Sequence, residues 1–179
     1  DFSDVDFIVQ REYNFGGRGG GAAFLFDEPI EADGNRIYNL NMTDESSGVT
    51  ETRRRYVAVH EQGHLFGLPD LYTENQWEPI NPVFQRFAGD RSVMSSNLTA
   101  GFTGFERWVL GWLPDGQVSC VTRDGEVEHS RTVTVSSVDS GRSTRGKIVV
   151  FPTGLDTALV AEYRNNARST TAFLTPGVF

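Results

Sequence analysis

The stretch that decides the fold is VAVHEQGHLFGLPDLY, residues 57–72. It sets His60 and His64, two of the chain's three histidines, four residues apart, puts Glu61 beside the first, and follows them with Gly67, Pro69 and Asp70. On an α-helix, residues i and i+4 lie one above the other on the same face, so both imidazoles can aim a ring nitrogen at one ion. Glu61 is turned about 100° around the helix from His60 and sits beside the ligand set, within reach of a water activated by the metal. That arrangement suits hydrolysis. Zinc lowers the pKa of a water to about 7, and a neighbouring carboxylate takes the proton as the water attacks a carbonyl.

Two histidines do not complete a catalytic zinc site, which usually has three protein ligands and one open position. Gly67 can take the left-handed conformation that reverses the chain after the last helical turn, and Pro69 stiffens the return, so Asp70 can swing back as a carboxylate ligand. Glu74, four residues on, competes for that place. Against it stand two rivals: a mere polar helix face, as in an inactive fragment or pseudoenzyme that binds protein or ligand through its β region, and the two-histidine, one-carboxylate site of a non-haem iron oxygenase. Helical i, i+4 placement with an adjacent glutamate favours zinc hydrolysis over both.

Around this stretch the chain supplies a frame. From Thr50 to Phe66 only Gly63 interrupts good helix formers, and Tyr56, Val59, Gly63 and Phe66 recur at three- and four-residue spacing, which predicts a helix over 50–66. Asp44, Ser46, Ser47 or Thr50 can cap its start, and Gly67 followed by Pro69 ends it. Upstream, residues 5–10, 22–26 and 36–40 are short apolar or alternating runs between turn-rich segments, a strand signature. The NFGGRGGG segment at 14–21 lacks the spacing of a phosphate cradle and reads as a loop. Downstream, Pro79 and Pro82 discourage regular structure over 73–93.

Thr103 and Glu106 have capping-box spacing and predict a second helix over 103–112, offering Phe105, Trp108, Val109 and Trp112 to a core. After Leu113-Pro114-Asp115-Gly116 the character turns to β, with strands expected at 117–121, 132–138, 147–151 and 158–163. The reading is therefore an α+β fold. A mixed, twisted sheet backed by the 51–66 helix forms residues 1–115, followed by a β-rich C-terminal part at 116–179.

Composition narrows the partners. The chain has 179 residues, a formal charge of −8 and a pI of about 4.8, which argues against the clustered positive surface a nucleic-acid binder needs. Arg53-Arg54-Arg55 is too short a run for such a surface and reads as a solvated helix face. No run of 18 apolar residues spans a membrane. The single Cys120 has no partner for an internal disulfide and is expected to be a buried small hydrophobe. A start at Asp1 and an end within TPGVF suggest a piece of a longer, secreted precursor.

HEQGHLFGLPDLY resembles the HExxHxxGxxDxY signature of zincin metallopeptidases, in particular the secreted immune inhibitor A family, with a core shared by the small snapalysin-type proteases. DRSVMSS around Met94 resembles the Met-turn that passes beneath the zinc in metzincin-type folds. GFTGFERWVLGWLPDGQV, VAEYRNN and PGVF resemble later segments of the immune inhibitor A family. The similarity is scattered over 57–179 and is most specific in its first motif. It implies a zincin-like fold with an active-site helix and Met-turn, and an extracellular zinc endopeptidase acting on protein or peptide substrates. It also implies structural calcium, a pro-segment and accessory domains. Carried over by position, it makes His60, His64 and Asp70 the zinc ligands, Glu61 the general base and proton donor, Met94 structural, and Tyr72 a hydrogen-bond donor to the oxyanion. Two positions depart from the pattern: Ser96 stands where some metzincins carry a tyrosine, and Thr73 where some relatives carry a glutamate.

Overall fold

A computed structural model describes residues 8–12, 20–44, 48–72, 88, 91–95, 101–121, 132–141, 146–165 and 177–178. Glu74 and Ser96, and residues 5–7 of the first expected strand, lie outside the described residues. The chain divides into two compact units, residues 1–98 and 99–179. Among the described residues each is mixed α/β, with one small mixed sheet and one α-helix.

In the first unit, β1 (Ile8–Glu12), β2 (Gly21–Ala32) and β3 (Asn35–Asp44) form a sheet in the order β1-β3-β2, with β1 parallel and β2 antiparallel to the central β3. Asp33 and Gly34, both at positive φ, close the β2–β3 hairpin, the conformation that lets a two-residue turn follow the strands' twist. The β2 register shifts between Leu25 and Ile30, around Pro29, which an edge strand tolerates because no ladder hydrogen bond is needed from its nitrogen.

Helix α1 (Glu51–Leu65) packs on β2 and β3. Thr50 is its N-cap, its hydroxyl accepting from the Arg53 amide at 3.3 Å. At the other end Gly67 stands at φ 90°, its amide donating to His64 O at 2.8 Å while the Leu68 amide donates to Gly63 O at 3.0 Å. This paired 5→2 and 6→1 pattern is the Schellman stop that the Gly67 position suggests, and it delivers Leu68 into the interior. The core of this unit holds Ile37, Leu68, Val93 and Met94, the last two in a short 3₁₀ turn at Val93–Ser95. Val59 and Phe66, part of the spacing that predicts the helix, are exposed, and the buried α1 positions are Glu61 and Gly63.

In the second unit, β4 (Val118–Cys120), β5 (Ile148–Pro152), β6 (Ala158–Arg164) and β7 (Gly177–Val178) lie in that order, β4 parallel to β5 and the others antiparallel. Its core of Leu113, Val138, Ile148 and Val150 is flanked by Trp108, Val118 and Val160. The expected strand at 132–138 is reduced to one bridge, Val135 to Gly146. The neighbouring Ser137 turns away to build a polar turn with Ser140 and the Lys147 ammonium. Cys120 is exposed rather than buried, because β4 is an edge of this sheet.

Helix α2 (Gly104–Val109) begins with the full Thr103/Glu106 capping box but ends well before 112, Gly111 reversing the chain at φ 73°. Of the four side chains expected in the core only Trp108 packs against it, while Phe105, Val109 and Trp112 are exposed. The helix instead docks by Gly104, where a Cβ would collide with Ile148 and approach Glu162. That contact, together with the Gly104 amide donating to the Glu162 carboxylate, ties α2 to β5 and β6. The first compact unit ends at 98, and the compositional change near 115 lies within the second.

Candidate metal centre

Three donor atoms converge at the C-terminal half of α1 and the loop that follows. His60 Nε2 and His64 Nε2 are 3.2 Å apart, and Asp70 Oδ1 lies 3.1 Å from the first and 3.4 Å from the second. Among the described residues this His60, His64 and Asp70 group is the one cluster of metal-binding type. Helix geometry brings the histidines together, and the Gly67 reversal brings Asp70 back over them.

The protonation of the imidazoles follows from their other nitrogens. His60 Nδ1 lies 2.9 Å from Val93 O and His64 Nδ1 2.8 Å from Leu68 O. A carbonyl oxygen only accepts, so both Nδ1 atoms carry the hydrogen and both Nε2 atoms of the neutral rings present lone pairs. With both rings neutral, Asp70 Oδ1 is a buried oxygen without a donor. Two lone pairs and a carboxylate oxygen then face one another at 3.1 to 3.4 Å. A cation placed among these three atoms, either a proton or a metal ion, would find a donor on each side.

The residues fit a metal ion. A tetrahedral ion with bonds of about 2.0–2.1 Å holds its ligand atoms about 3.3–3.4 Å apart, close to the spacing seen. Metal-binding histidines usually donate their other ring N–H to a carbonyl or carboxylate, as His60 and His64 do to the Val93 and Leu68 carbonyls. Without a metal a proton does the same work, and the direction of titration reflects it. His64 is raised above its ordinary value chiefly by Asp70, against its burial. Burial pulls His60 down, but Asp70, the Val93 carbonyl and the charge of Glu61 outweigh it and leave the ring raised. Burial pushes Asp70 up, yet the contacts to His60, His64 and Tyr72 hold it well below the carboxylate range.

Glu61 is 7% exposed, and burial pushes its carboxyl above the ordinary range in spite of the two histidines. Its carboxylate accepts from the Ala23 amide of β2. The start of β2 runs against it so closely that a Cβ on Gly21 would meet Glu61 Cγ at 2.8 Å and Met42 O at 2.8 Å. Gly21, at the end of the glycine run, is there for this close approach. The Tyr72 ring stacks on His60, centroids 6.0 Å apart and planes 24° apart, and its hydroxyl contacts the Asp70 carboxylate.

Sequence reasoning missed the contributions of Val93, Leu68 and Ser95. The first two act through backbone carbonyls, which every residue has. Ser95 acts through a hydroxyl donated to Leu71 O at 3.0 Å. Met94 is fully buried beside them. No family model, curated protein or solved structure matches this chain.

Proposed function

We propose that this chain is a zinc-dependent endopeptidase of zincin type, secreted and similar to the immune inhibitor A family. The observation that carries the reading is the convergence of two bare imidazole nitrogens and a carboxylate oxygen with a buried glutamate alongside. His60, His64 and Asp70 would hold the ion, and three protein donors leave a tetrahedral ion one open position. The chemistry a bound zinc ion supplies is a water whose pKa falls to about 7 and a polarised scissile carbonyl.

Glu61 does the proton work. Its carboxylate takes a proton from the attacking water as the water oxygen bonds to the peptide carbon, and delivers that proton to the amide nitrogen as the C–N bond breaks. Its raised pKa is a property of the metal-free site, and a divalent charge beside it acts in the opposite direction, favouring the carboxylate that accepts the proton. The Ala23 amide and the close approach of Gly21 keep the carboxylate from swinging away.

Casein digestion with and without a zinc chelator, alongside Glu61→Gln, tests the reading. The mutant is expected to bind one zinc per chain and to lose activity by several orders of magnitude. Full activity in Glu61→Gln would sink the mechanism. Iron in place of zinc in a metal analysis, with activity that needs O₂, would select the oxygenase reading instead.

A further inference from the structure

On the basis of this metal-centre reading, we propose that the buried Ser95 hydroxyl is a positioning group for the metal ligands, clamping the loop that carries Asp70 to the turn that orients His60. Leu71, next to Asp70, has both backbone polar groups taken by the 93–95 turn. Its amide donates to Met94 O at 2.8 Å, and Ser95 Oγ donates to its carbonyl at 3.0 Å. One hydrogen bond leaves a peptide free to swivel about it, whereas two on opposite sides of the residue fix its direction.

The same turn holds the first histidine, because Val93 O accepts from His60 Nδ1 at 2.9 Å. Three consecutive residues thus set the separation of His60 and Asp70. The turn is stiff enough for this. Ser92 closes it twice, its hydroxyl accepting from the Met94 amide at 2.9 Å and its carbonyl from the Ser95 amide at 3.1 Å, and Ser92, Met94 and Ser95 are all 0% exposed. A hydroxyl buried this completely is unfavourable unless bonded, and the bond it makes is the one to the ligand loop. Ser95 touches none of the three donor atoms and would act only through the placement of Asp70.

Outer-shell partners of metal ligands typically change affinity by about 10- to 100-fold, and Ser95→Ala is expected to weaken zinc binding by that factor. The measurement is competition of the 179-residue chain with a chromophoric chelator, together with the visible spectrum of the cobalt-loaded protein, which reports ligand geometry. Ser95→Thr keeps a hydroxyl on Cβ and is expected to restore both. If Ser95→Ala does not fold, Ser95→Cys, similar in size but a weak donor, takes its place and is expected to show the same loss.

A merely structural role would lower the melting temperature of the metal-free variant while leaving zinc affinity and the cobalt spectrum unchanged. That result, or a loss that Ser95→Thr fails to recover, overturns the assignment. Wild-type protein that takes up no ion overturns the metal-centre reading itself, so the two failures are distinguishable.

Discussion

At His60 and His64 the feature that prepares a ligand also makes the metal-free site depend on a proton. Both rings are raised above the ordinary histidine value and Asp70 is depressed, so the metal-free cluster contributes stability between the ordinary Asp and His values, about pH 4 to 6.5. The sign differs by residue. The histidine contribution is lost as pH rises through the raised values, and the aspartate contribution is lost as pH falls below the carboxylate range. Metal binding needs both rings deprotonated at Nε2, so zinc affinity should rise with pH through and above 6.5, and binding should release protons. Calorimetric titration in buffers of different ionisation enthalpy checks this, and proton uptake on binding would contradict it.

Asp70→Asn removes the charge that completes the set and should cost more affinity than the about 10- to 100-fold typical of an outer-shell partner. Equilibrium dialysis gives the number, and an unchanged affinity would point away from Asp70 as a ligand. The meeting of His60, His64 and Asp70, with Glu61 beside them, was legible because helical spacing and the Gly67 turn place those side chains. The carbonyls of Val93 and Leu68, and the clamp by Ser95, were not, because they depend on which loop comes to lie beside which.

Elements were legible where a local signal sets them and misread where burial was inferred from apolarity alone. Thr50, Thr103 and Gly67 act through contacts within a few residues, and each does in the structure what its type suggests. The apolar positions of α1 and α2 misled for a common reason. In each helix a small or functional residue lies against the strands, Glu61 against Gly21 in α1 and Gly104 against Ile148 and Glu162 in α2, while Val59, Phe105 and Val109 are left exposed. The Gly67 stop links helix end to site. Gly67→Ala puts a Cβ on a residue at φ 90°, which should cost about 1 kcal/mol or more of stability and displace the Asp70 arm. Zinc affinity should fall together with melting temperature, whereas a stability loss at constant affinity would show that Asp70 finds its place without this turn.

Across the whole molecule, the two units have separate cores, and the donor cluster belongs to the first. The compositional change near 115 marks where strands dominate. Helix α2 lies ahead of that change and is bound by Gly104 to β5 and β6, strands of the second unit. A ligand held only by the folded form stabilises what holds it, by about 2.7 kcal/mol at a hundredfold excess over its dissociation constant. Zinc at that level should slow hydrogen exchange of the α1, 68–72 and 93–95 amides by about 100-fold where exchange requires opening of the cluster. The amides of the β5–β6 ladder, whose packing involves Leu113, Val138 and Ile148, should change far less. Glu61→Gln should leave this pattern of protection in place because it removes no donor atom, while Asp70→Asn should abolish most of it. Protection spread evenly over both units, or present undiminished in Asp70→Asn, would mean that zinc binds somewhere other than this cluster.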